Sequence, residues 1–122
     1  MRLTLPFPPS ANRYWRTTRK GRVYKAEDAR DYTHAVRSAE LVQRLPGGPP
    51  PLGPGRRVGL RAVFYFPSLR GDLDNRIKVL LDALQGVAYA DDKQVFELHA
   101  RRELDRENPR VEIDVHPFEE VD

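Results

Sequence analysis

Two aspartates, Asp72 and Asp74, stand two residues apart where a helical pattern begins. The pattern runs from Asn75 to about Gln85 and is followed by Gly86, a residue type that often adopts the left-handed conformation after the last turn of a helix. Its apolar residues recur at helical spacing and form one stripe: Ile77, Leu80, Leu81 and Leu84. Both carboxylates can therefore lie in one place, at the N-terminus of this helix.

A second pair of aspartates, Asp91 and Asp92, follows the helix after a short return of the chain. On the helix itself, Asp74, Lys78 and Asp82 are spaced four residues apart, so they share a face that lies away from the centre of the apolar stripe. The return can bring the second pair back toward the start of the helix. Three or four carboxylates and one lysine are then expected to meet in one place.

This set of side chains suits a hard divalent cation. The ligands would all be oxygen atoms, with no cysteine and no useful histidine pair, and such ligands favour Mg²⁺ or Mn²⁺. Magnesium held by a few carboxylates keeps several waters and takes other ligands from a substrate phosphate. Such a site can polarise a phosphoryl oxygen and generate hydroxide for in-line attack. Lys78 would place a positive charge beside the phosphate or orient the attacking water.

A structural interpretation of the same residues also stands. Asp72 or Asp74 can serve as the N-cap of the helix, since aspartate is favoured at that position. Lys78 can form ordinary ion pairs with Asp74 and Asp82, each contributing about 0.3–0.5 kcal/mol. One aspartate could serve both purposes, and the spacing alone does not separate the two interpretations.

Four blocks of the sequence stand in a characteristic order: the opening LPFPPSANRY at 5–14, GDLDN at 71–75 followed by Lys78, LDAL at 81–84, and DD at 91–92. Taken together, these blocks resemble the RusA family of Holliday junction resolvases. An aspartate pair of the form D-x-D is a weak signal by itself, whereas these blocks in register are specific. Their spacing and the chain length also fit, so the resemblance covers nearly the whole chain.

The resemblance implies a Mg²⁺-dependent endodeoxyribonuclease that cuts four-way DNA junctions in recombination and repair and acts as a homodimer. Mn²⁺ is expected to be able to substitute, and no small-molecule cofactor is expected. Carried over by position, the catalytic residues are three aspartates and a lysine: Asp72, Asp74, Asp92 and Lys78. The three aspartates would also be the metal ligands. The contributions of Asp82 and Asp91 stay open.

The charge distribution is uneven along the chain. Residues 1–70 carry 14 Arg and Lys against 4 Asp and Glu, whereas residues 71–122 carry 7 against 14, for a net charge of +3. The segment 13–25 has six cations and no acid, with three aromatic residues interleaved, a composition that suits phosphate contacts and base stacking. The DNA-binding candidates are all basic: Arg13, Arg16, Arg19, Lys20, Arg22, Arg70 and Arg76. The alternatives are a solvated basic loop and an arginine excess that reflects a GC-rich genome. Some RusA members carry a run of arginines before DLDN, whereas here only Arg70 precedes Gly71.

These residues must be positioned by helices and strands. The pattern of predicted helices and strands indicates one α+β domain spanning residues 1–122, with two helices packed on a small, mainly antiparallel or mixed sheet. The expected order is a strand, a hairpin turning at Lys20-Gly21, a helix, a strand, the aspartate-bearing helix, and two strands. The first helix is expected from Glu27 to Leu45, with an apolar face made of Ala29, Tyr32, Val36, Ala39, Val42 and Leu45. The strand after the second aspartate pair should bury a face made of Phe96, Leu98 and Ala100.

Composition narrows the setting further. Residues 46–55 are rich in Pro and Gly and are interpreted as an exposed connector within the domain. No apolar run is long enough to span a membrane, so no membrane association is expected. The absence of cysteine excludes a disulfide framework and a cysteine-type zinc site, and it fits a reducing cytoplasm.

Two other functions remain compatible with the sequence. A non-cleaving junction- or DNA-binding module could use the acidic cluster as a structural element, and it would need neither Lys78 nor a divalent metal. A metal-dependent phosphohydrolase acting on nucleotides would need the carboxylates but not the basic segment 13–25.

Overall fold

The computed structural model describes residues 1–11, 15–17, 23–25 and 27–119. Eight helices and strands of the described residues are named in chain order: β1 (Arg2–Pro6), β2 (Trp15–Thr17), β3 (Val23–Lys25), α1 (Glu27–Gln43), β4 (Val58–Phe66), α2 (Leu73–Ala83), β5 (Val95–Leu104) and β6 (Arg110–Pro117). The expected order and the α+β class are confirmed. β2 and β3 pair antiparallel as a hairpin, and its expected turn at Lys20-Gly21 lies outside the described residues.

Four strands form a mixed sheet in the order β1-β6-β4-β5. β6 pairs antiparallel with β1 and with β4, whereas β4 and β5 run parallel. A parallel pair requires a crossover connection, and α2 supplies it between β4 and β5. The two aspartate-bearing segments are therefore the two links of this crossover. One joins β4 to α2, and the other joins α2 to β5.

The core lies between the sheet and the two helices. Along β4, the apolar residues at alternate positions are buried: Val58, Leu60, Ala62, Phe64 and Phe66. β6 alternates in the same way, and its inward residues are Val111, Ile113 and Val115. α1 contributes the buried residues Ala29, Tyr32 and Val36. Burying one large aliphatic or aromatic side chain stabilises the fold by about 1.5–3 kcal/mol, so this shared core fixes the position of α2 on the sheet.

The end of α1 differs from the sequence expectation. The helix ends at Gln43 rather than Leu45, and the prediction that Val42 and Leu45 are buried is wrong, since they are 85% and 74% exposed. The buried stripe ends on Glu40 instead. Its carboxylate accepts two hydrogen bonds of 2.8 Å from the Arg44 guanidinium, and such pairing reduces the cost of burying a charge.

α2 begins and ends two residues earlier than expected, at Leu73 and Ala83. The fully buried residues here are Val79, Leu80, Ala83 and Leu84. Ile77 and Leu81, which the sequence pattern places on the apolar stripe, are half-buried and pack against the core. The buried face is shifted from the expected stripe because α2 contacts both α1 and β5.

β5 is an edge strand, hydrogen-bonded to β4 on one side. The expectation of a buried face at Phe96, Leu98 and Ala100 is right only for Ala100, which packs half-buried against the core. Phe96 and Leu98 are 56% and 38% exposed. A strand with a neighbour on one side only leaves more of its side-chain surface uncovered.

The connector of residues 46–55 is largely exposed, as expected, but its end is tied to the rest of the chain. The backbone N–H of Leu52 donates to the carbonyl of Ala88 at 2.9 Å. The side chain of Gln94 donates to the carbonyls of Gly53 and Arg56 at 2.7 and 2.9 Å. The connector therefore supports the link between α2 and β5. No helix within the described ranges is long and apolar enough to cross a bilayer.

Candidate active site

The first aspartate-bearing segment opens α2. Asp72 occupies the N-cap position with extended backbone angles (φ −106°, ψ 140°), but its side chain makes no capping hydrogen bond. Its Oδ2 accepts one long hydrogen bond, 3.4 Å, from the side-chain amide of Asn75. Asp72 and Asp74 are both exposed. The capping interpretation is thus correct for the position of Asp72 and wrong for its carboxylate, which makes no capping hydrogen bond.

The second aspartate-bearing segment is built around a short 3₁₀ helix, Asp92–Gln94. Asp91 caps this turn, because its Oδ1 accepts a hydrogen bond of 2.9 Å from the backbone N–H of Lys93. Tyr89, just before the segment, is fully buried and donates its hydroxyl proton to the carbonyl of Leu81 at 2.6 Å. That bond anchors the return of the chain onto α2.

Two glutamines hold the backbone of the second segment. The side-chain oxygen of Gln94 accepts hydrogen bonds from the N–H groups of Ala90 and Asp91, at 3.0 and 2.8 Å. The side-chain oxygen of Gln85 accepts from the N–H of Asp92 at 3.2 Å, and the Gln85 amide donates to Asp82 Oδ1 at 2.8 Å. Asp82 is thereby linked to Asp92 through one side chain.

The surroundings of Asp92 raise its pKa. The largest cause is a partial loss of solvation of this exposed residue, followed by a hydrogen bond with Asp91 and by the negative charges of Asp91 and Asp82. The positive charge of Lys78 acts in the opposite direction. Burial also raises the pKa of Tyr89, and the negative charges of Asp92, Asp82 and Asp91 raise it further. Lys78 and the acidic groups near the end of α2 therefore share one electrostatic environment.

The structure brings some of the expected site residues together and not others. Lys78, Asp82, Asp91 and Asp92 interact, as just described. Asp72 and Asp74 lie at the other end of α2, so Lys78 stands one turn beyond Asp74 and one turn before Asp82. In the part of the chain that is described, no three acidic or histidine side chains are grouped closely enough to hold a metal ion by themselves. Asp74 and Asp82 thus lie on α2 on either side of Lys78, and Asp91 and Asp92 lie in the segment that follows the helix.

The basic candidates differ in how far the structure describes them. Four of them lie outside the described residues, namely Arg13, Arg19, Lys20 and Arg22. Arg16 is described only by its place in β2, and Arg70 is exposed beside Gly71. Arg76 is half-buried on α2, where its Nη1 donates to the carbonyl of Pro8 at 2.8 Å. Its guanidinium lies 4.9 Å from the ring centroid of Phe7, so Arg76 ties the N-terminal segment to α2.

The roles of the two glutamines are not predicted from the sequence. A signal for Gln94 exists, because Asp91 followed three residues later by Gln94 has the spacing of a capping box, and the structure forms both of its hydrogen bonds. Gln85 carries no comparable signal, since its partners are the backbone of Asp92 and a side chain on its own helix.

Comparison with known proteins identifies related sequences over most of the chain. The family model described as "Endodeoxyribonuclease RusA" matches residues 6–116. A crossover junction endodeoxyribonuclease rusA of Enterobacteria phage 82 is 31% identical over 115 residues, covering 93% of this chain and 91% of the relative. The protein of the same name from Escherichia coli K12 is 30% identical with the same coverage. That of Enterobacteria phage HK97 is 32% identical over 94 residues, covering 76% of this chain and 73% of the relative.

Proposed function

The chain belongs to the RusA family of endodeoxyribonucleases, and we propose that it cleaves DNA phosphodiester bonds at four-way (Holliday) junctions in recombination and repair. The observation that carries the proposal is the state of the first aspartate pair. Asp72 stands at the N-cap of α2 without a capping hydrogen bond, and Asp74, the second residue of the helix, is exposed. Two carboxylates that the fold does not use for capping are available to a ligand.

The proposed catalytic residues are Asp72, Asp74 and Asp92, with Lys78 in support, and the three aspartates would hold Mg²⁺ or Mn²⁺. The donors fit a hard cation, because all are exposed carboxylates. Partial loss of solvation, a hydrogen bond with Asp91 and the nearby negative charges raise the pKa of Asp92, and a bound cation would offset the repulsion between these charges. When bound, the ion would polarise a phosphoryl oxygen and lower the pKa of a coordinated water. Because no group of three carboxylates is preassembled in the described residues, water and the DNA phosphate would complete its coordination.

Lys78 has a separate role in this proposal. It is exposed on the same helix as both aspartates of the first pair, and its charge acts on Asp92. A cation at this place would attract the scissile phosphate and stabilise the negative charge that develops on it in the transition state. It would also keep Asp92 in its ionised form.

DNA affinity would come from the basic residues outside the acidic face. In this proposal, segment 13–25 and the exposed Arg70 supply phosphate contacts. A DNA contact by Arg76 stays a prediction, because its Nη1 already donates a hydrogen bond to the carbonyl of Pro8. We expect a homodimer, since a four-way junction offers two equivalent strands and a two-fold dimer presents one acidic site to each. The proposal includes a cytoplasmic location, because DNA would be the substrate there and because a chain without cysteine, which forms no disulfide, fits a reducing compartment.

The competing function is a junction-binding module that does not cut. The observation that favours it is that the described residues do not form a ready cluster of three metal-binding side chains. In such a module, Asp91 and Asp92 would serve only the 3₁₀ turn and the link to β5.

The deciding experiment incubates the protein with end-labelled four-way and linear duplex DNA, with Mg²⁺ and with a chelator. We expect paired nicks in the four-way junction, only with Mg²⁺, and little cleavage of the linear duplex. Sedimentation under cleaving conditions should give twice the 14.1 kDa mass of one chain. A gel shift without nicks would support the binding module. Release of phosphate from nucleotides, with no nicking, would support a nucleotide phosphohydrolase.

A further inference from the structure

An arginine on β5 reaches the turn that leads into the first aspartate pair. Arg102 Nη1 donates to the carbonyl oxygen of Gly71 at 2.8 Å. Its Nη2 donates to the carbonyls of Arg70 and Ser68, at 3.1 and 3.2 Å. Three backbone acceptors of one short turn thus depend on a single side chain that is about 30 positions away in the sequence.

The guanidinium of Arg102 is itself held in place. It lies 3.8 Å from the ring centroid of Phe66, the last residue of β4, and that ring is 1% exposed. The guanidinium of Arg76 lies 6.0 Å from the same centroid. A planar cation stacked on a buried ring has little freedom to rotate, so the three donated hydrogen bonds keep a fixed direction.

The hydrogen bond to Gly71 bears directly on Asp72. The carbonyl oxygen of Gly71 and the Cα of Asp72 belong to the same peptide unit, whose six atoms are coplanar. Fixing that oxygen therefore fixes the orientation of the peptide plane from which the Asp72 side chain projects. Gly71 has φ +90°, a conformation that a glycine visits freely, so the turn would not hold this orientation by itself.

We infer that Arg102 is a positioning residue for the acidic site. Arg102 holds the Gly71–Asp72 peptide plane so that the Asp72 carboxylate is presented at the N-terminus of α2. It acts through the backbone and does not touch substrate. The inference rests on the proposed function, because it assigns a purpose to Asp72 as a metal ligand. A lysine at this position would keep the charge but lose the planar fork that serves three acceptors.

The test compares Arg102→Lys and Arg102→Ala with Arg101→Ala. Arg101 is the matched control, because neighbouring residues of a strand point to opposite faces and Arg101 pairs with Glu103 at 3.5 Å. In the two Arg102 variants, the Mg²⁺ concentration for half-maximal junction cleavage should rise about 10–100-fold, as for loss of a group that orients a metal ligand. Metal-free junction binding should stay unchanged, and high Mg²⁺ should restore most of the rate. Arg101→Ala should match the unsubstituted protein.

A second readout does not depend on cleavage. Hydrogen exchange of the amides of residues 69–73, measured without metal, should be faster in Arg102→Lys than in the unsubstituted protein and unchanged in Arg101→Ala. Unchanged exchange together with an unchanged Mg²⁺ requirement would overturn the inference. A lower melting temperature with the same Mg²⁺ requirement would also overturn it, as would weaker metal-free junction binding. If the unsubstituted protein does not cleave, the proposed function fails, and the exchange comparison still decides whether Arg102 orders the turn. If Arg102→Ala does not fold, Arg102→Lys carries the test.

Discussion

The two links of the β4-α2-β5 crossover both carry aspartates, yet the protein holds them in opposite ways. In residues 71–74, the backbone is fixed through a carbonyl oxygen by Arg102, and the carboxylate of Asp72 makes no capping bond. In residues 90–93, the backbone is fixed through N–H groups by Gln85 and Gln94, and the carboxylate of Asp91 is itself a cap.

This difference separates carboxylates that serve the fold from those that are available to a ligand. Asp91 satisfies a backbone N–H, so its oxygen has a structural role. Asp92 makes no such cap, and partial loss of solvation, a hydrogen bond with Asp91 and neighbouring negative charges raise its pKa. Within the second segment, Asp92 is therefore the better candidate for metal binding, and Asp91 the better candidate for structure. Both aspartates of the first segment are exposed, as Asp92 is, so their carboxylates are also accessible to a ligand.

The largest expected effects come from removing single negative charges. Asp72→Asn, Asp74→Asn and Asp92→Asn should each abolish cleavage, because a neutral amide holds strongly hydrated Mg²⁺ poorly. Junction binding should be equal or tighter, since the site repels DNA less. Thermal melting should distinguish the segments. Asp72→Asn should leave the melting temperature unchanged, and Asp92→Asn should raise it slightly by relieving repulsion from Asp91 and Asp82.

Asp91→Asn is the matched control within the second segment. Asparagine caps a helix about as well as aspartate, so the turn should persist and cleavage should be largely kept. Full cleavage by Asp74→Asn with an intact circular dichroism spectrum would return the first aspartates to a structural role. The non-cleaving module would then be the better account.

Lys78 connects the two segments, and its removal should have the next largest effect. Lys78→Ala should lower the cleavage rate about 10²-fold through lost stabilisation of transition-state charge, with the fold kept because the side chain is exposed. Lys78→Arg keeps the charge and should recover part of the rate. Single-turnover cleavage at saturating Mg²⁺ measures both. An unchanged rate in Lys78→Ala would show that the two segments work without this cation.

Local sequence signals predicted much of the molecule correctly. The alternation in β4 and β6 is a period-two pattern that one strand displays by itself, and burial follows it. The existence of α2 is likewise marked by neighbouring residues, although the helix begins two residues before the expected Asn75. Such features need no knowledge of distant partners, and the choice of aspartates came from the family resemblance.

The features that the sequence did not predict depend on partners distant in the chain or on the order of the strands in the sheet. Gln94 bonds to carbonyls 38 and 41 positions earlier, and Arg102 to carbonyls 31 to 34 positions earlier. Backbone carbonyls are the same at every residue, so the sequence shows no sign of which one a side chain will meet. The exposure of Phe96 and Leu98 follows from β5 being an edge strand, which depends on the strand order and not on the strand's own pattern.

Gln94 provides the third prediction, which concerns the second segment alone. Gln94→Ala removes the buried side chain that accepts partly buried hydrogen bonds from the N–H groups of Ala90 and Asp91, so unfolding should become easier by about 1–3 kcal/mol. Cleavage by the folded protein should fall about tenfold, because the Asp92 carboxylate is held less firmly.

The matched control for that variant is Gln43→Ala. Gln43 makes the same kind of amide pair with the backbone of Thr4 (2.6 and 2.8 Å), but on β1, at the opposite edge of the sheet from β5. It should lose stability without losing cleavage at temperatures where the protein is folded. Equal cleavage by the two variants would show that the second segment does not need its glutamine for activity.

The smallest effect is expected at Asp82, and it tests where along α2 the site is centred. Asp82 Oδ1 accepts from the Gln85 amide, whose oxygen in turn holds the N–H of Asp92. Asp82→Asn keeps an acceptor oxygen at this position and removes one of the charges that raise the pKa of Asp92, so cleavage should stay within about threefold of the unsubstituted rate. Asp82→Ala removes the acceptor and should cost more, because Gln85 then holds Asp92 less firmly. If Asp82→Asn abolished cleavage as completely as Asp92→Asn, the metal would be held at the end of α2 by Asp82 and Asp92, and the first segment would be left to orient DNA.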